Sequence, residues 1–112
     1  MIHSTPVLHM TATGFLSVSP KVDGSMAPEI AKAVDALEAF DVEYETTPMG
    51  TILEATEASE LFGAAQAAHE AVDGDRVGTF LKIDDKRTVS QSAGEKVRKV
   101  EEHLGRAATN RE

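Results

Sequence analysis

From residue 8 to residue 18 the chain alternates. Leu8, Met10, Ala12, Leu16 and Val18 share one parity, and His9, Thr11, Thr13, Phe15 and Ser17 share the other. A period of two belongs to a strand with one face against a core, and the first set is the expected core face. Gly14 falls on that parity and predicts a bulge or a close approach. After a loop over 20–24, Ser25 stands where a helix cap is expected, with Pro28 tolerated in the first turn. Ile30, Val34 and Leu37 then recur at helical spacing, and the helix is expected to end near Phe40.

Val42 to Thr47 reads as a second strand and Thr51 to Ala55 as a third. Between them, Pro48 lacks an N–H donor and has no place inside a central strand. Gly50 permits the backbone angles of a tight reversal. The reading places the hydroxyls of Thr47 and Thr51 beside the turn. Ala58 to Val72 is a second helix with Leu61, Ala65, Ala68 and Val72 on one stripe, small enough to lie close to a sheet. Asp73-Gly74-Asp75 stops it. Arg76 to Asp84 is a fourth strand, with Val77, Thr79, Leu81 and Ile83 on one parity and Phe80 on the other. Ser92-Ala93-Gly94-Glu95 has the form of a capping box, and Val97, Val100 and Leu104 stripe a third helix.

The order β-α-β-β-α-β-α predicts an α+β fold: a ferredoxin-like sandwich, one antiparallel sheet backed by two helices, with an additional C-terminal helix. One domain over residues 1–112 is expected, with 1–6 an extension and 105–112 a frayed tail. The expected core is Leu8, Met10, Leu16, Val34, Leu37, Leu61, Val72, Val77, Leu81 and Ile83. Phe15 and Phe80 fall on the face without helices. An uncovered apolar face marks an interface, so a homodimer or homotetramer is expected; two isolated surface aromatics are the plainer alternative.

Composition narrows the function classes. Nineteen acidic residues against 11 basic ones leave a net charge of −8, which argues against a nucleic-acid or anionic-membrane binder. The chain has no cysteine, which excludes disulfides, thiolate metal sites and cysteine nucleophiles. No apolar run approaches the roughly 20 residues of a membrane span, and the first residues carry no secretory signal pattern, so a cytoplasmic protein is expected. The four histidines show no metal spacing. A lone His69 reads first as the maker of one structural hydrogen bond and second as a pocket donor. No nucleophile elbow, phosphate loop or dinucleotide motif occurs. No catalytic residue, metal ligand or cofactor is therefore assigned.

Four phrases together carry a resemblance. They are Ser17 to Pro20 ending the first strand, Tyr44-Glu45-Thr46-Thr47-Pro48-Met49-Gly50-Thr51 at the hairpin, His69-Glu70-Ala71-Val72, and Lys82-Ile83-Asp84-Asp85-Lys86-Arg87. Over roughly Thr13 to Leu104 the chain resembles the small thiamine-binding protein family, long grouped among uncharacterised conserved proteins. The resemblance implies a ferredoxin-like fold, assembly into dimers or tetramers, and a ligand of the thiamine or hydroxymethylpyrimidine class held by a binding protein rather than an enzyme. Two features depart from the family pattern: the loop Lys21-Val22-Asp23-Gly24 and the extra residues before the first strand.

The expected ligand-binding residues are Thr47, Met49, Thr51, Ser17 and Asp84. Thr47, Met49 and Thr51 offer hydroxyls and a polarizable thioether; on residue type alone they merely build the turn. Antiparallel pairing of the first and third strands brings the end of one beside the start of the other, so Ser17 and Thr51 should meet. Asp84 should lie at the opposite end of the sheet unless a second subunit returns it. The alternative to ligand binding is an oligomeric interaction module with no small ligand; a small oxygenase or isomerase ranks third.

Overall fold

The computed structural model describes residues 12–111. The alternation at the start of the chain becomes β1 (Ala12–Pro20), two residues longer at its end than its pattern predicts. Leu8 and Met10 lie outside the described residues. The chain continues through α1 (Ala27–Ala36), a 3₁₀ turn (Leu37–Ala39), β2 (Glu43–Thr46), β3 (Thr51–Ala55), α2 (Ala58–Ala71), β4 (Val77–Asp85) and α3 (Ala93–Leu104). The result is an α+β fold with one four-stranded sheet in the order β2-β3-β1-β4, antiparallel throughout.

The register sorts side chains by face, because residues directly opposite one another project to the same side. Thr46, Thr51, Leu16 and Leu81 form one row toward the helices; Glu45, Ile52, Phe15 and Lys82 form the next, away from them. β1 pairs with β4 without interruption from Ala12↔Asp85 to Pro20↔Val77. The bulge expected at Gly14 is therefore absent. Gly14 lies under α2 instead, where an added Cβ would make ordinary contact with Leu61 at 3.5 Å.

Leu37, Leu53 and Leu61 are the large side chains removed completely from solvent. Ala64, Ala65 and Ala68 are buried on the sheet-facing side of α2. Short side chains there let the helix approach closely, and Gly63 does the same for Phe40, whose ring edge stands 2.9 Å from where a Cβ would be. Four expected core residues are only half-buried: Val34, Val77, Leu81 and Ile83. β4 is an edge strand, so among the described residues nothing pairs with its outer side; Val34 opens onto a cleft. Leu53, missed as core, is fully buried because β3 is a central strand.

The N-cap of α1 lies one residue after the expected one. Met26 is the N-cap, while the Ser25 hydroxyl accepts from the Ala27 N–H at 3.1 Å. Glu29 ties this helix to the end of α2 by accepting from the Asp73 N–H at 2.7 Å, and Lys32 bridges Glu29 and Asp73. These contacts hold the Glu29 carboxyl below its ordinary range; the Asp73 amide is the largest cause and Lys32 the next.

Helix α3 carries the expected capping box, Ser92 with Glu95. Its start is held to the face of the sheet opposite α1 and α2, which is otherwise free of helices. The Ala93 N–H donates to Glu54 at 2.6 Å, and Lys96 pairs with Asp84 at 3.0 Å. Beyond that anchor it buries no residue. Among the described residues no helix is long and apolar enough to cross a membrane.

Candidate functional site

The β2–β3 connection is a four-residue turn built by Thr47. Its N–H donates to the Gly50 carbonyl at 2.8 Å, and its hydroxyl donates to the same oxygen at 2.7 Å. That hydroxyl also accepts from the N–H groups of Met49 and Gly50, both at 3.2 Å. Hydroxyls in turns commonly bond the backbone in this way. Gly50 is not in a left-handed conformation, so backbone freedom does not explain it. A Cβ there would stand 2.5 Å from the Phe15 ring and 2.8 Å from the Leu16 carbonyl. Glycine is required by close approach.

Between this turn, the end of β1 and one face of α1 lies a cleft of about 310 Å³. Helix α1 and the residues that flank it supply an apolar wall: Met26, Ile30, Ala33, Val34 and Leu37. Residues 46–51 form the facing wall and residues 16–19 the floor. Thr51, at 6 % exposure the one buried polar residue among those described, begins β3 there. Its hydroxyl lies 3.4 Å from that of Thr46. Met49 is 80 % exposed and Met26 44 %, so two thioethers stand at the rim. All fifteen lining residues are uncharged.

Four of the five expected site residues border this cleft: Ser17, Thr47, Met49 and Thr51. They do not contribute alike. The Thr47 hydroxyl is engaged within the turn. Ser17 pairs with Phe80 and by parity projects to the helix-free face. Thr51 and Met49 are directed by their positions to the interior and the rim.

The structure does not bring Asp84 to the cleft. It pairs with Thr13, three residues along β1 from Leu16, or about 10 Å. There Lys96 holds its carboxyl below the ordinary range, by hydrogen bond first and charge second. Met26, Ile30, Val34, Ser19 and Thr46 were not singled out for the site. The helical spacing 26–30–33–34–37 was legible as a stripe, but a stripe reads as core unless one knows that its outer end is uncovered.

On α2, the Nδ1 of the exposed His69 is hydrogen-bonded to the Thr79 hydroxyl at 2.5 Å. Among the described residues no group of three His, Asp or Glu side chains is placed to hold a metal.

A family described as thiamine-binding protein matches residues 15–101. A UPF0045 protein of Methanothermobacter thermautotrophicus is 46% identical over 83 residues, covering 71% of this chain and 84% of that one. A Bacillus subtilis UPF0045 protein is 36% identical over 87 residues, covering 71% and 83%. The crystal structure of a hypothetical protein from Methanocaldococcus jannaschii superposes with a TM-score of 0.75 at 31% identity, over 83% of this chain and 99% of that one. A Thermotoga maritima protein, named provisionally for thiamine biosynthesis or salvage, superposes at 0.60 over 80% of this chain and 97% of that one, with 22% identity; that likeness is one of fold.

Proposed function

The chain belongs to the thiamine-binding protein family, and we propose that it is a cytosolic binding protein for thiamine or its hydroxymethylpyrimidine moiety. The observation that carries this reading is the cleft itself. An apolar wall on α1 faces the threonines of the hairpin, with thioethers at the rim. A heteroaromatic ring fits that combination: apolar faces against Ile30 and Val34, polar edges toward Thr46 and Thr51, and polarizable sulfur at the entrance. The element order and the sheet order β2-β3-β1-β4 support a ferredoxin-like reading of the fold.

Titration calorimetry with thiamine and with the free pyrimidine tests the proposal. Saturable binding is expected, with amide shift changes confined to residues 26–37 and 46–51. No saturable binding of either compound would end the reading.

A second reading rests on a different observation. Phe15 and Phe80 meet edge to face on the helix-free side, centroids 6.3 Å apart, and Phe80 is 58 % exposed. Val97, Val100 and Leu104 of α3 are also exposed. Uncovered apolar surface of this kind supports self-association, as a homodimer or a homotetramer. Light scattering that gives one chain's mass at micromolar concentration would refute assembly. Assembly without any ligand would make the interaction module the better account.

A further inference from the structure

We propose that the cleft discriminates by charge: it takes heteroaromatic rings free of phosphate or carboxylate groups and rejects their anionic derivatives. This rests on the ligand-binding reading of the same cleft and names the ligand class more narrowly.

Among the described residues the cleft has no cationic group to neutralise an anion. Its fifteen lining residues are uncharged. The single cation of α1, Lys32, is bound by Glu29 and Asp73 at 2.8 and 3.1 Å. Buried charge without a partner is strongly unfavourable.

The backbone donors of the first turn of α1 and of the β2–β3 turn are engaged as well. A helix N-terminus ordinarily offers free N–H groups to an anion, and α1 begins at the cleft with Met26 in its lining. Here the Ala27 N–H goes to the Ser25 hydroxyl at 3.1 Å. Pro28 has none to give. The N–H groups of Glu29 and Ile30 both go to the Met26 carbonyl, at 3.0 and 2.9 Å. Across the cleft, a turn whose successive amides pointed outward would make an anion-binding nest. The amides of Met49 and Gly50 instead point back to the Thr47 hydroxyl at 3.2 Å. At the helix start and in the turn, the two backbone features best shaped to hold a phosphate, the N–H groups of Ala27, Glu29, Ile30, Met49 and Gly50 are spent on internal partners. The net charge of −8 adds repulsion at longer range.

The test compares two matched pairs by calorimetry: thiamine against thiamine diphosphate, and a neutral aminopyrimidine against its ring carboxylate. A chelator removes divalent cations. Measurement in 1 M salt, where the Debye length is about 3 Å, removes the long-range repulsion. The anionic member of each pair is expected to bind at least tenfold more weakly, and the gap is expected to survive high salt. Met49→Lys, a change on an exposed turn position, is expected to narrow the gap by bringing a cation to the rim.

Equal or tighter binding of the anionic members overturns the inference while leaving the ligand reading intact. A gap that vanishes in high salt also overturns it, because the molecule's overall charge then explains the preference. If thiamine fails but the neutral aminopyrimidine binds and its carboxylate does not, the ligand reading narrows to the pyrimidine and the charge discrimination stands. If nothing binds, both fall.

Discussion

Phe15 leaves no room for a side chain on Gly50: a Cβ there would sit 2.5 Å from the ring's Cζ. The contact joins the β2–β3 turn to the helix-free face of β1, so the geometry of the cleft and the packing of that face are coupled. Gly50→Ala is expected to destabilise the fold by about 1–3 kcal/mol, the range of overpacking substitutions. A cycle with Phe15→Leu tests the cause. The cost of Gly50→Ala should fall when the ring is gone, leaving a residue from the Leu16 carbonyl at 2.8 Å. An unchanged cost would show that the ring is not what glycine accommodates.

The central and edge strands should respond differently to truncation. Leu53 is fully buried on β3, and Leu81 is half-buried on the edge strand β4. Leu53→Ala is expected to cost about 2–5 kcal/mol, and Leu81→Ala clearly less. Urea unfolding of the two variants measures this. Equal losses would mean that β4 packs as tightly as the interior.

Thr51 and Asp84 separate the cleft from the far end of the sheet. Loss of the Thr51 hydroxyl in Thr51→Val is expected to weaken thiamine binding by about 0.5–1.5 kcal/mol, the net value of one hydrogen bond. Asp84→Asn is expected to leave affinity unchanged, because Asp84 lies beside Thr13 and faces Lys96. Calorimetry giving the reverse order would move the site to the other end, where a second subunit would have to complete it.

Helix α3 depends on its first turn, since it buries no residue. Ser92→Ala removes the cap that accepts from the Glu95 N–H and is expected to cost that helix about 0.5–2 kcal/mol. Hydrogen exchange should show faster amides over 95–104 with the sheet unaffected. Faster exchange in β1 and β3 would show that α3 stabilises the whole domain.

Acid should loosen the surface ties together. Glu29, Asp84 and Glu95 are each held below their ordinary range, by the Asp73 amide, by Lys96 and by the Ser92 amide respectively. A carboxylate with a lowered folded-state pKa adds stability above its unfolded value, and that stability is lost as pH falls through the folded value. The melting temperature is therefore expected to be nearly flat from pH 7 to 5 and to fall below about pH 4. Glu29→Gln should reduce the size of the acid-induced fall. A melting temperature rising in acid would contradict the assignment.

Periodicity alone was sufficient for the elements. Alternation over 8–18 and 76–84, helical spacing from Ile30 to Leu37, and the capping box at Ser92 each report a constraint between residues close in the chain; the strands reappear within two residues of their expected ends wherever the structure describes them, whereas α1 stops at Ala36 and reaches toward Phe40 only as a 3₁₀ turn over Leu37–Ala39. The side of the sheet taken by Phe15 and Phe80 was legible for the same reason. What distance along the chain cannot encode is coverage. Whether Val34 and Leu81 are sealed or open depends on which strand ends at an edge and on where α1 stops short of the hairpin. Gly50 illustrates the difference most sharply. As a residue type it signals a turn, yet the reason for it is an aromatic ring 35 positions away, brought near by the antiparallel pairing of β1 with β3. The same pairing set Thr51 beside Leu16, while the pairing of β1 with β4 put Asp84 at the far end, as the strand order had already implied. Hydroxyls and a thioether at the hairpin could be read as candidates from the sequence. That the Thr47 hydroxyl is engaged within the turn while Thr51 faces the interior was decided by hydrogen bonds and strand parity that only the assembled sheet provides.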